Sequence, residues 1–180
     1  ARLIVNEAEQ SGAILQIGHL ERFNAGVVRL HKELDRPRFI EVHRLSEFVE
    51  RATDVDVVTD LMIHDIDIVL SLVRSELKYV SAVGASIVTN HVDIANARLE
   101  FEDGAIANVT ASRVSAKRFR RIRVFADAGY LALNFEDQQI EISRPGKRPP
   151  DGRFAPIINS SIQVEPTPPL DSELAHFVDC

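Results

Sequence analysis

Cysteine is nearly absent: Cys180 is the only one in 180 residues. That excludes an intrachain disulfide framework and fits a reducing compartment. No run approaches the roughly 20 apolar residues that span a bilayer, and no basic-then-apolar leader opens the chain, so the expected location is cytoplasmic. Cationic excess is missing as well. Twenty-one Lys and Arg face 27 Asp and Glu, for a net charge of −6. Neutralising phosphates takes a cationic face, so neither nucleic acid nor membrane is an expected partner. The chain also lacks G-x-G-x-x-G, a Walker loop, G-x-S-x-G and C-x-x-C. Any acid/base chemistry here would therefore draw half of its machinery from outside these residues.

What remains is ordinary globular material, 45% hydrophobic and 27% charged. A chain of this length can bury roughly 70% of its unfolded surface. Residues 2–10 read as a helix closed by Ser11-Gly12, followed by the short apolar run Ile14-Leu15-Gln16-Ile17, which suits a buried strand. A helix, a glycine stop and a buried strand resemble the closing unit of a parallel α/β sheet, with partner strands upstream of Ala1. A second helix is expected over 24–34, ending before Pro37, and a strand over 38–45, where apolar and polar residues alternate. The most helical stretch is 54–74, with Thr53 or Asp54 as its cap.

From Leu77 to Ser143 the apolar period changes to two, predicting strands over 79–88, 94–101, 105–113, 120–126, 130–135 and 139–143. Asp103-Gly104 marks a hairpin, and the short turns imply an antiparallel meander. Residues 145–169 hold most of the prolines and read as an irregular excursion. A last helix is expected to start at Asp171 as N-cap and to be cut at Cys180, and on that reading the chain would be a piece of a longer protein. The fold class is thus α/β plus α+β: the end of a parallel α/β domain, then an α+β domain with a large open, mainly antiparallel sheet.

Three clusters carry chemistry. In Asp60-Leu61-Met62-Ile63-His64-Asp65-Ile66-Asp67, the spacing of Asp60, His64 and Asp67 puts all three on one helix face. His64 reads as a general acid/base oriented by Asp60 or Asp67, as part of a solvent-facing stripe, or as one ligand of a metal site. The loop Gly18-His19-Leu20-Glu21-Arg22-Phe23-Asn24 follows the first strand, where open sheets bind ligands. His19, Arg22 and Asn24 are its candidate cofactor or substrate contacts. The bland alternative is that Asn24 caps the next helix and Glu21 pairs with Arg22. The run 117–123 carries five positive charges, with Arg121 and Arg123 on one strand face and Arg120 and Ile122 on the other. It reads as an anion site or, more simply, as a solvated face paired with acids. Arg44 and Arg51 are further candidate anion contacts.

These residues resemble the glucose–fructose oxidoreductase/inositol dehydrogenase/MocA family. The resemblance rests on Gly18-His19 with Glu21-Arg22-Phe23-Asn24, on Asp60-x-x-x-His64-Asp65-Ile66-Asp67, on Arg98-Leu99-Glu100-Phe101-x-Asp103-Gly104 and on Ala128-Gly129-Tyr130-Leu131. It implies a Rossmann domain binding NAD or NADP, then a C-terminal domain whose open sheet commonly forms the subunit interface. Residues 1–23 would be the last helix and strand of the Rossmann domain, and 24–180 the substrate-binding and oligomerisation domain. The family's Gly-rich loop and Glu-Lys-Pro lysine would lie upstream. The implied chemistry is an oxidoreductase, an NAD(P)-dependent sugar or nucleotide-sugar dehydrogenase, with this chain alone inactive. By the same resemblance His64 would take the hydroxyl proton as hydride leaves the same carbon for the nicotinamide, and Asp60 would support the imidazole. His19 and Arg22 would meet the cofactor, Asn24, Arg44 and Asp67 the substrate, with no metal. The competing readings are a non-catalytic dimerisation module on the same sheet and a metal-dependent lyase or isomerase.

Overall fold

The computed structural model describes residues 2–50, 53–152 and 154–180. The chain runs through α1 (Arg2–Ser11), a 3₁₀ turn (Leu20–Phe23), α2 (Ala25–Glu33) and β1 (Pro37–Leu45). A wide π-turn (Val58–Met62) then leads into α3 (Ile63–Leu72). Seven strands follow: β2 (Leu77–Ala85), β3 (Ile94–Phe101), β4 (Ile106–Ser112), β5 (Phe119–Ala126), β6 (Gly129–Asn134), β7 (Gln139–Pro145) and β8 (Ile157–Gln163). Helix α4 (Pro169–Val178) closes the order.

Period-two alternation becomes a single eight-stranded sheet in the order β2-β3-β4-β1-β5-β6-β7-β8. One departure from a plain meander matters. β1 inserts between β4 and β5, parallel to β4 and antiparallel to β5, so the sheet is mixed. The inward residues of each strand, such as Ile40 and Val42 of β1, Val109 of β4, Ile122 and Val124 of β5 and Leu133 of β6, are fully buried. They meet Val27 and Leu30 of α2 and Ile68, Val69 and Leu72 of α3 in one core. Transfer of that apolar surface from water, at about 25 cal/mol per Å², holds the helices to one face. The other face carries Glu41, His43, Asn96, Arg98, Asn108 and Thr110, with Phe39, Phe125 and Tyr130 in ring contact.

Several expectations are corrected. Residues 14–17 form no strand: Ile14, Leu15 and Ile17 are 57%, 42% and 63% exposed. A lone parallel strand leaves both of its edges unpaired, and no neighbour is present among the described residues. The helix expected over 54–74 starts later and opens with the π-turn, because Asp56 rather than Thr53 or Asp54 accepts the Val58 and Thr59 amides, each at 3.1 Å. The proline-rich 145–169 segment contains β8, which pairs antiparallel with β7. Helix α4 begins at Pro169, which suits the first helical turn, so Asp171 lies inside the helix rather than capping it.

Other elements stand as the sequence reads. Gly12 ends α1 at φ +65, with the Ala13 amide donating to the Ala8 carbonyl. Gly104 turns the β3–β4 hairpin at φ +85.

Candidate active site

The helix that carries the motif is held by burial of Val57, Met62, Ile68, Val69 and Leu72. Its first turn is wide: the Ile63 amide donates to the Val58 carbonyl, five residues back. Such π-turns are frequent at functional sites, and the extra residue in the turn carries Asp60 around the axis relative to His64. Among the described residues no hydrogen bond or ion pair joins Asp60 to His64. Asp60 instead lines a cleft of about 500 Å³ with Glu21, Arg44, Ser46, Arg113 and Arg120. His64 is half-buried, and its Nδ1 atom is buried with no hydrogen-bond partner among the described residues.

Asp65, one residue on, points into the sheet. It is fully buried and accepts from Arg44 Nε at 2.7 Å and Nη2 at 2.8 Å. Arg44 and Arg120 are direct partners across β1 and β5, both turned toward the helices. Two cations side by side are tolerable because two carboxylates meet them. Glu21 lies 2.8 Å from Arg120 Nη2 and 3.5 Å from Arg44 Nη1. Arg120 also stacks 3.7 Å above the Phe135 ring.

The electrostatics follow from this packing. Burial pushes the Glu21 carboxyl up, but Arg120, Arg44 and His64 together outweigh it and hold the group below the usual carboxylate range. Burial opposes the charge on Arg44 too, yet its bonds to Asp65 leave it more firmly protonated than an ordinary arginine. Arg120 moves the other way, lowered by burial and by neighbouring Arg44.

A second cluster sits beside the first. Asp67 is buried and accepts two bonds from Arg22, from Nε and Nη2, both at 2.7 Å, with His19 Nδ1 at 3.7 Å. The Arg22 charge is strengthened by that fork, against its partial burial. Helix α4 backs the loop, with His176 edge-on to Phe23 at 5.4 Å between centroids and bonded to Gln16 at 3.2 Å. Asn24 does the bland job: its Oδ1 caps α2 by accepting the Gly26 amide at 2.9 Å.

The structure thus brings His19, Arg22 and Asp67 together, and places Arg44 and Asp60 on one cleft. Glu21 pairs with Arg44 and Arg120 rather than with Arg22. Arg51 lies outside the described residues. In the basic run, Arg121 pairs with Glu141 at 2.5 Å and Arg123 with Glu41, the solvated acid-paired face.

Sequence reasoning missed the roles of Glu21, Asp65 and Arg120. The signal for Arg120 was its shared face with Ile122, an inward position. It also missed Asp93, a fully buried carboxylate bonded by the amides of Ile87, Val88 and Thr89 at 2.7–2.9 Å and by Arg113 Nε at 2.9 Å. No group of three or more His, Cys, Asp or Glu is placed to hold a metal among the described residues. No helix among them is long and apolar enough to cross a membrane.

The chain is thus an α+β domain, a mixed open sheet with an Asp-x-x-x-His-Asp helix start beside an arginine-walled cleft. The chain matches the family model for the GFO/IDH/MocA C-terminal domain over residues 10–132. It belongs to that family. It is 35% identical over 147 residues to UDP-N-acetylglucosamine 3-dehydrogenase of Acidithiobacillus ferrooxidans, covering 81% of this chain and 47% of the relative. A solved structure of that enzyme superposes with a TM-score of 0.88 at 30% identity, covering 99% of this chain and 57% of the other. An inositol dehydrogenase homologue from Azotobacter vinelandii, complexed with NADH and myo-inositol, shares the fold at TM-score 0.73 and 18% identity, covering 93% and 48%. The chain spans about half the length of these relatives.

Proposed function

We propose that the protein carrying this chain transfers hydride between a hydroxyl of a sugar or nucleotide sugar and NAD or NADP, and that residues 24–180 are its substrate and oligomerisation domain. In this reading residues 1–23 belong with the dinucleotide-binding domain. The observation that carries it is His64: a half-buried imidazole at the start of α3, with one ring nitrogen unpaired among the described residues, on the element whose preceding turn supplies Asp60 and Leu61 to the cleft that Arg44 also lines. His64 accepts the proton of the reacting hydroxyl, and the nicotinamide, when bound, supplies the hydride acceptor. Asp60 lends charge from the wall of the cleft. Arg22 spends Nε and Nη2 on Asp67 and stays half-exposed, so its remaining edge suits an anionic cofactor oxygen, with His19 beside it. Asp67 fixes that arginine, Arg44 faces the substrate cleft, and Asn24 offers its amide nitrogen from the helix cap. UDP-N-acetylglucosamine is the first substrate to try. The open sheet face, with its aromatic contacts and opposed charges, is the self-association surface.

The test is NAD(P) reduction by the full-length polypeptide with UDP-sugars and free sugars, wild type against His64→Ala. Loss of a general base costs about 10²–10⁴-fold in turnover. The expected result is that loss with unchanged urea unfolding and sedimentation. Wild-type rates in the variant would remove the catalytic role. Self-association without cofactor reduction would instead favour the interaction-module reading.

A further inference from the structure

We propose that Arg118 is a specificity residue at the rim of the cleft, where it takes a phosphate group esterified to the sugar; this rests on the dehydrogenase reading above and narrows its substrate to a sugar phosphate ester. The basic run 117–123 divides three ways in the fold. Arg121 and Arg123 leave by the open face of the sheet, held by Glu141 and Glu41. Arg120 turns inward, lies 2.8 Å from Glu21 and stacks on Phe135. Lys117 and Arg118 remain, both exposed, at the entry to β5. Among the described residues Lys117 is in no ion pair. Arg118 is in one, with Glu136 at 4.0 Å, between side chains that are 79% and 45% exposed.

Arg118 lines the same cleft as Arg44, Arg113 and Arg120. Those three are largely buried and committed, Arg44 to Asp65, Arg113 to Asp93 and Arg120 to Glu21. The floor of the cleft therefore presents paired charges, which suit the hydroxyls of a sugar. The rim presents a cation whose acid is too distant for a hydrogen bond. A pair so long and so exposed to water is weak, and it exchanges readily for a phosphate, whose oxygens accept a guanidinium in a two-bond fork. A carboxylate on the sugar ring would lie among the paired charges of the floor. A phosphate on the anomeric oxygen stands off from the ring and reaches outward to the rim. Glu47, exposed and without an ion pair among the described residues, is the acid of that rim and works against the anion.

The experiment is calorimetric titration of the full-length protein, without cofactor, for wild type, Arg118→Ala, Arg118→Lys and Glu47→Gln. The probes are UDP, N-acetylglucosamine 1-phosphate and N-acetylglucosamine. Arg118→Ala is expected to raise the Kd of both phosphates about tenfold at low salt, the worth of one charge-assisted contact, and that of the neutral sugar by less than about twofold. The difference narrows as salt is added, because exposed charges are screened. Arg118→Lys keeps the charge and most of the affinity, and Glu47→Gln tightens both phosphates. Should the neutral sugar bind too weakly to titrate, the lysine rescue decides. A loss shared by both phosphates places Arg118 on the phosphate bonded to the sugar; a loss with UDP alone places it on the diphosphate of a nucleotide sugar. No binding of either phosphate to wild type overturns the proposal, as does an unchanged Kd for both in Arg118→Ala. An equal loss for the neutral sugar, or weaker phosphate binding in Glu47→Gln, overturns it too. Full activity in His64→Ala defeats the dehydrogenase reading instead and leaves these binding constants standing, so the two failures are distinct.

Discussion

Arg44 on β1 and Arg120 on β5 are direct cross-strand neighbours, and both turn inward toward the same buried carboxylate, Asp65. This makes the site a structural keystone as well as a chemical one. Asp65→Ala leaves two partly buried guanidinium groups facing each other with only Glu21 between them. Breaking a buried pair by removing one partner costs about 3–5 kcal/mol. Asp60→Ala, half-exposed and unbonded to either arginine, should stay within about 0.5 kcal/mol of wild type. Urea denaturation of both variants measures the difference. Equal midpoints would mean that Asp65 does not hold the sheet to α3.

Arg22 and Asp67 make a separable prediction. Lysine at position 22 keeps the charge but not the planar fork, so one of the two 2.7 Å bonds is lost. Arg22→Lys should cost about 1 kcal/mol in stability, and Arg22→Ala about 2 kcal/mol by leaving a buried carboxylate short of donors. On the proposed dehydrogenase reading, both should raise the KM of the full-length protein for the nicotinamide cofactor more than they lower kcat. A change confined to kcat would move Arg22 away from the cofactor.

Much of this fold is readable from alternation alone. Inward Ile40 and Val42, and Ile122 and Val124, announce β1 and β5 without any partner being known. The order of strands is not readable in that way. Nothing local tells β1 to lie parallel to β4, because the pairing joins residues more than sixty positions apart, Phe39 with Ile106 through Leu45 with Ser112. Strand β8 is hidden by the flanking prolines, although Ile157, Ile158 and Ile162 were there to be read. At the site, His64 and Asp67 stand out by spacing. Asp65 falls off that face, and the wide turn at Val58–Met62, which moves Asp60, leaves no mark in the period. Exposed Ile14, Leu15 and Ile17 show the converse: a strand-like pattern without a neighbour to pair with stays irregular.

Asp93 predicts the acid side of the stability profile. Burial pushes its carboxyl up, but the bonds from Thr89, Val88 and Ile87 win and hold it far below its ordinary value of 3.8. A carboxyl lowered on folding adds stability that is fully present above its unfolded pKa and drains away as the pH falls toward the folded value. Unfolding midpoints followed downward from neutral pH should therefore decline below about pH 5. Asp93→Asn should be less stable at neutral pH and flatter across that acid range. An unchanged acid slope in the variant would mean that Asp93 titrates the same folded and unfolded. Glu21 is shifted in the same direction, so the assignment rests on the difference between the two curves.

Two turn glycines differ in a way that can be measured. Gly104 and Gly129 both have positive φ, +85 and +140. A Cβ on Gly104 meets nothing within 4 Å, so Gly104→Ala carries only backbone strain, about 1 kcal/mol. A Cβ on Gly129 would sit 2.4 Å from the Ser143 carbonyl oxygen and 3.0 Å from Arg144 Cγ. That oxygen belongs to the β6–β7 ladder, where Tyr130 pairs with Ser143, and it cannot yield without opening the strands. Gly129→Ala therefore adds a backbone collision to the strain and should cost at least about 2 kcal/mol more than Gly104→Ala. Denaturant unfolding with an unchanged slope would report this as a pure stability difference. Equal losses would show that β6 and β7 can part at this end. Tyr130, which sits on the open face against Phe125, would then be free to shift, and the proposed self-association surface would lose its aromatic centre.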